Sequence, residues 1–78
     1  MPTTYEIVVS AEKNKERINR MILNYNKLGF QVKVIPGKQV QKISVASFTD
    51  RAVALDSLEG VKKKLNNPDA YIYTHNRK

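Results

Sequence analysis

Two segments of the chain repeat the same order of hydrophobic and polar positions. The first is strand-like over residues 5–11 and changes to helical spacing over residues 12–28. The second is strand-like over residues 41–46, and Thr49 is a suitable helix N-cap, with Asp50 favourable in the first turn. A single shift superposes the apolar positions of the two segments: Ile7 on Ile43, Val9 on Val45 and Ile22 on Leu58. The pattern therefore predicts two copies of one strand–helix unit.

Each predicted helix ends at a residue that terminates helices, and a further strand follows. Gly29 stands where a helix is commonly ended by glycine, and residues 30–35 then alternate as a strand up to a turn at residues 36–37. Pro68 cannot continue the second helix, and residues 70–73 form the last apolar run. The predicted order of elements is β-α-β-β-α-β.

This order predicts an α+β fold of the ferredoxin-like or RNP-like type. The sheet has four antiparallel strands, and right-handed crossovers place both helices on one of its faces. The chain is expected to be one domain over residues 1–78, with one repeat at about 5–35, a second at about 41–73 and a tail at 74–78. The residues expected in the shared core are Ile18, Ile22, Leu55 and Leu58.

Composition narrows the class of protein. The 78 residues contain no cysteine, which excludes disulfides and thiolate chemistry, and no apolar run is long enough to cross a membrane. The amino-terminal residues do not form a signal peptide, so the chain is expected to be either cytoplasmic or a domain of an exported protein. The net charge of +7 favours an acidic partner, although it is also compatible with solubility alone.

The second face of the predicted sheet has no element left to cover it, so a binding site is expected there. Strand alternation assigns these side chains to that face: Glu6, Val8, Ser10, Gln31, Lys33, Ile35, Lys42, Ser44, Ala46, Tyr71 and Tyr73. Tyr71 and Tyr73 are the strongest candidates, because a tyrosine offers an apolar ring with a polar tip to sugars, bases or proteins. Lys33 and Lys42 are suited to anionic groups.

Catalytic and metal sites are not indicated. His75 is the only histidine and falls in the expected tail, and no pair of carboxyl groups has the surroundings of an acid–base site. Residues 62–64 are three lysines at a predicted helix end, where positive charge is favourable in any case. We therefore expect a binding domain that has no cofactor and no metal.

Several motifs in this order resemble the SPOR (sporulation-related repeat) domain, a bacterial module that binds peptidoglycan. The second repeat of that family is matched at residues 43–52, which read Ile-Ser-Val-Ala-Ser-Phe-Thr-Asp-Arg-Ala. The end of the first helix is matched at residues 27–30, Lys-Leu-Gly-Phe. Residues 68–72, Pro-Asp-Ala-Tyr-Ile, are similar to the ending found in members from the Bacteroidetes group. The resemblance extends from Tyr5 to Tyr73.

The resemblance implies binding of glycan strands that lack stem peptides. In well-studied members a glutamine, a Gly-Ser-Phe element, an arginine and an aromatic residue help the contact. Those places are held here by Val8 for the glutamine, Ser10, Ala11 and Glu12 for the Gly-Ser-Phe element, Lys42 for the arginine and approximately Val40 for the aromatic residue. The expected ligand-binding residues are Lys42, Ser44, Tyr71, Tyr73, Val8, Ser10 and Lys33.

The resemblance also implies the setting of the domain. It predicts a monomeric part of a larger membrane-anchored or exported protein in the periplasm or cell envelope. The sequence is also compatible with two alternatives. The altered first repeat is compatible with a SPOR-like fold that now binds another protein. The element order also occurs in RNA-binding domains, but the outward positions of the first and third strands carry no aromatic residue, so nucleic acid is not the expected partner.

Overall fold

A computed structural model describes residues 3–76 and has the predicted order of elements. The strands are β1 (Thr3–Glu12), β2 (Lys33–Ile35), β3 (Gln41–Phe48) and β4 (Tyr71–Asn76), and the helices are α1 (Lys15–Lys27) and α2 (Arg51–Leu65). The sheet has the order β2-β3-β1-β4 with antiparallel pairing throughout, so β1 and β3 are central. The predicted fold class is confirmed. Within residues 3–76, no helix has the length and apolar character needed to cross a membrane.

The helix ends follow local side-chain chemistry. The Asn14 side chain accepts hydrogen bonds from the backbone N–H groups at the start of α1, which therefore begins later than the spacing predicted. Gly29 has φ of +96° just beyond α1, as predicted for a glycine at a helix end. Asp50, not Thr49, caps α2: its Oδ1 accepts from the N–H of Ala52 at 2.8 Å. Both residue types cap well, so the sequence pattern did not separate them.

The core lies between the sheet and the two helices. Ile7, Val45 and Val61 form its buried centre, and Leu58 packs against them from α2. The partly buried residues around this centre also include Val9, Tyr25, Phe30, Ala46, Phe48 and Leu65. Leu55 was predicted to be in the core, but its exposure of 42% shows that it is at the border of the helix face. The inward face of α2 is instead formed by Ala54, Leu58, Val61 and Leu65.

Two irregularities change the register where β1 meets β3. The pairing passes from Ile7–Ala46 to Val8–Ser44 and then to Ser10–Ile43. Each step leaves one residue of a strand unpaired, and an extra residue reverses the alternation of side chains beyond it. Ala46 was predicted on the open face but packs against the core. Ser10 was also predicted there, but it pairs with the core-side residue Ile43.

The strands differ in length from the predicted ones. β2 covers only three residues, whereas β3 continues to Phe48 and β4 continues to Asn76. Consequently His75 belongs to the sheet and not to a tail. Between β2 and β3, a Cβ on Gly37 would collide with the carbonyl oxygen of Val40, so this turn requires glycine.

Candidate functional site

We call the face of the sheet opposite the helices the open face. Directly paired residues of neighbouring strands place their side chains on the same face, so the register defines its members. They are Thr4, Glu6, Val8 and Ala11 of β1, Lys33 and Ile35 of β2, Lys42, Ser44 and Ser47 of β3, and Tyr71, Tyr73 and His75 of β4.

The middle of the open face is covered by its own side chains. The Lys42 ammonium lies 4.8 Å from the centre of the Tyr73 ring, within the range of a cation–π contact. Because β1 lies between β3 and β4, this contact passes over β1. Val8 is only 1% exposed on that strand. A ligand that stacks on this side of the Tyr73 ring would therefore have to displace Lys42.

A buried carboxylate lies at the centre of the open face. Glu6 has no exposed surface, and its two oxygens accept four hydrogen bonds. Oε1 accepts from Ser44 Oγ at 2.8 Å and from Ser47 Oγ at 2.5 Å. Oε2 accepts from Thr4 Oγ1 at 2.6 Å and from Lys33 Nζ at 3.2 Å. The charge is therefore paired, and each oxygen has two donors.

The hydrogen bonds keep Glu6 ionised in spite of its burial. Burial raises the pKa of this carboxyl, but the donors Ser47, Thr4, Ser44 and Lys33 together outweigh burial and hold the pKa below its ordinary value of 4.5. At neutral pH the network contains an anion, and the three hydroxyl groups donate to it.

The structure gives the predicted site residues different environments. Tyr71 is 44% exposed, while Tyr73 is partly buried beside Lys42. Val8 and Ser44 are on the open face but buried, and Lys33 is tied to Glu6. Ser10 is not part of this face. The accessible part of the predicted set is therefore formed by Tyr71, Tyr73, Lys42 and Lys33.

Sequence reasoning assigned Glu6 to this face without a role in the site, and it left out Thr4 and Ser47. A glutamate inside the apolar run of β1, with Tyr5 before it and Ile7 after it, was a usable signal, because a buried charge needs partners. Ser47 could not be placed, since its side of the sheet depends on the irregularity in β3.

The histidine and the lysine cluster are outside the centre of this face. The His75 ring lies 6.0 Å from the Tyr73 ring, between ring centres. In the part of the chain that the structure describes, no three histidine, aspartate or glutamate side chains are grouped as metal ligands would be. Lys64 donates to the carbonyl oxygen of Leu28 at 3.0 Å and lies over the Phe30 ring, which ties α2 to the end of α1. Lys62 pairs with Glu59 at 3.3 Å.

Comparison with known proteins gives one family and one solved fold. The family model described as the SPOR domain matches residues 2–74. The solution structure of the peptidoglycan-binding domain of the B. subtilis cell wall lytic enzyme CwlC superposes with a TM-score of 0.73 at 21% sequence identity. The match covers 97% of this chain and 94% of that domain. No curated protein matches the chain significantly in sequence. Since the family model spans nearly all of the sequence, the chain belongs to the SPOR domain family.

Proposed function

We propose that this domain binds peptidoglycan through its open face and performs no catalysis. The observation that carries the proposal is the SPOR family match over residues 2–74. The solved domain that shares its fold is described as peptidoglycan-binding, which supports the same ligand. A domain with this ligand acts in the cell envelope, and the periplasm is the compartment that we infer.

The chemistry of the open face favours glycan strands that lack stem peptides. Hydrolysis of the bond between a stem peptide and its sugar leaves a free carboxylate on the glycan. Lys33 and Lys42 place ammonium groups on the open face, and the net charge of +7 attracts an anionic strand. An attached peptide would replace that carboxylate by an amide and add bulk above a flat sheet.

Tyr71 supplies the exposed aromatic surface for sugar rings. It pairs with Val8 across β1 and β4, and it is 44% exposed, so its ring is accessible at one edge of the sheet. Tyr73 offers a second ring once Lys42 has moved from it to a ligand carboxylate. The proposed binding residues are therefore Tyr71, Tyr73, Lys42 and Lys33. Val8 and Ser44 are buried between them and support their positions.

The experiment is sedimentation of the domain with isolated cell-wall sacculi. We expect the domain to sediment with sacculi, and more of it after an amidase has removed the stem peptides. The matched variant is Tyr71→Ala with Tyr73→Ala, which alters only the face away from the helices and should remain folded. We expect this variant to lose most of the binding.

Two results would contradict the proposal. If the domain sediments with neither preparation, peptidoglycan is not its ligand. If the domain binds but the folded tyrosine variant binds equally well, the ligand is correct and the open face is not the site. Circular dichroism of both proteins shows whether the variant has kept the fold.

A further inference from the structure

The Glu6 network fixes the direction in which its hydroxyl groups donate. A serine or threonine hydroxyl has one proton and two lone pairs. Ser47 directs its proton to Glu6 Oε1, and Thr4 directs its proton to Oε2. The oxygens of these hydroxyls are therefore left with lone pairs, so toward a ligand they can only accept hydrogen bonds.

Ser47 is the member of the network that a ligand can reach most easily. Ser47 is an exposed residue, whereas Thr4 and Lys33 are partly buried. Ser44 is fully buried and also lies within hydrogen-bonding distance of the carbonyl oxygen of Ala46, at 3.0 Å. Glu6 pairs with Ser47 of β3 on one side and with Tyr73 of β4 on the other. Ser47 therefore lies on the same line across the sheet as the proposed aromatic site.

We propose that Glu6 is a positioning residue that makes Ser47 an obligate hydrogen-bond acceptor on the open face. The inference rests on the proposed function and deepens it, because it specifies what Ser47 binds. The matching ligand group is a proton donor of the glycan, such as the N–H of an acetamido group or a sugar hydroxyl. Glu6 acts on the ligand through Ser47 and does not touch it.

The variant Glu6→Gln inverts this polarity with little change in shape. The Lys33 ammonium cannot accept a hydrogen bond, so the glutamine must keep its oxygen toward Lys33 and Thr4. Its NH₂ group then replaces Oε1 and donates to Ser44 and Ser47. Ser47 becomes an acceptor for the glutamine, and its own proton turns toward the ligand. Because every group in the network retains a partner, we expect this variant to fold.

The test is a double-mutant cycle that measures the affinity for amidase-treated glycan strands. The proteins are the parent domain, Glu6→Gln, Ser47→Ala and the double variant. Each single change should weaken binding by roughly 3- to 10-fold, the effect of one hydrogen bond. The double variant should bind about as weakly as either single variant, because Glu6 acts through the Ser47 oxygen.

Additive losses, or a Ser47→Ala variant that binds like the parent, would overturn the assignment. Ser47 is exposed, so its alanine variant gives this answer even if Glu6→Gln does not fold. Failure of the parent domain to bind any glycan strand would instead refute the proposed function. Both proposals require that the parent domain binds the glycan strands and that only the variants lose affinity for them.

A pH profile separates positioning from general damage to the structure. The ratio of parent affinity to Glu6→Gln affinity should be constant above pH 4.5 and fall toward one as Glu6 becomes protonated below it. Comparing the two proteins as a ratio cancels the effects of pH on the ligand and on the other ionisable side chains of this face, which are Lys33, Lys42, Tyr71, Tyr73 and His75. A ratio that does not change with pH would contradict a role for the Glu6 charge.

Discussion

The buried carboxylate of Glu6 makes the stability of the domain depend on pH. Burial raises its pKa, but its four hydrogen bonds hold the pKa of the folded state below 4.5, the value for an unperturbed glutamate. A group with a lowered folded-state pKa contributes stability that is fully present above its unfolded pKa. That contribution is lost as the pH falls through the folded-state pKa.

We therefore expect the free energy of unfolding to fall more steeply in the parent than in Glu6→Gln between about pH 5 and about pH 3. Urea unfolding of both proteins at several pH values measures this free energy. Glu12 also has a lowered pKa, because the backbone N–H groups of Asn14 and Lys13 donate to it, and its contribution is common to both proteins. Parallel pH curves for the two proteins would show that the Glu6 charge has no net effect on stability.

Residue-level prediction was successful where a strand is regular and failed beside the irregularities. Alternation placed Tyr71, Tyr73 and Lys42 on the open face, and the register agrees. It misplaced Ser10 and Ala46, because one unpaired residue changes the face of every residue after it. No local pattern in the sequence marks such a residue. The hydrogen-bond partners of Glu6 also could not be predicted, since they come from three strands.

The two leucines of α2 provide a test at the level of the element. Leu58 packs against the core cluster, whereas Leu55 is 42% exposed at the border of the same face. Leu58→Ala should lower the free energy of unfolding by about 2 kcal/mol or more, the usual loss for a buried leucine. Leu55→Ala removes the same atoms and should cost below about 1 kcal/mol.

Chemical denaturation of the two alanine variants gives both values. Because they carry the same substitution on one helix, differences in helix propensity cancel. Equal losses would mean that Leu55 contributes to the core as much as Leu58, contrary to its exposed position in the structure. A larger loss for Leu55 would place the inward face of α2 one residue away from its position in the structure.

The order of elements could be predicted because the chain contains two similar units. Ile7 and Ile43 occupy the same position in the two repeats, and both are fully buried in the central strands. The lengths of the elements were harder to predict. β2 contains only Lys33–Ile35 because pairing with β3 begins there, although residues 30–32 continue the same alternation. Pairing partners, which a local pattern does not contain, determine where a strand ends.

For the whole molecule, the net charge of +7 raises the question of whether attraction to polyanions alone explains binding. Within residues 3–76, basic side chains lie on both sides of the sheet. On α2, Lys64 contacts the Leu28 carbonyl oxygen and the Phe30 ring, and Lys62 forms a salt bridge with Glu59. Lys33 and Lys42 lie on the open face. A specific glycan site and a general polyanion site are therefore separable by substitution.

We expect the substitutions Lys62→Gln and Lys63→Gln, with Lys64 left unchanged to preserve its contact with α1, to leave glycan binding nearly intact. These lysines are on α2, on the other side of the sheet from the proposed site. Lys42→Gln is the matched change on the open face, and it should weaken binding although it removes less charge.

Salt dependence distinguishes a glycan site from a nucleic-acid site. Glycan binding by stacking, hydrogen bonds and a few carboxylate contacts should weaken by less than about 10-fold between about 50 and 200 mM salt, since only a few counterions are released. A nucleic-acid site with several phosphate contacts would weaken by about 10³- to 10⁵-fold over the same range. Titrating the parent and both variants with amidase-treated strands and with single-stranded RNA measures both dependences. Tight RNA binding with the steep dependence, abolished in the Lys62 and Lys63 variant and retained in Lys42→Gln, would move the site to α2 and exclude the open face.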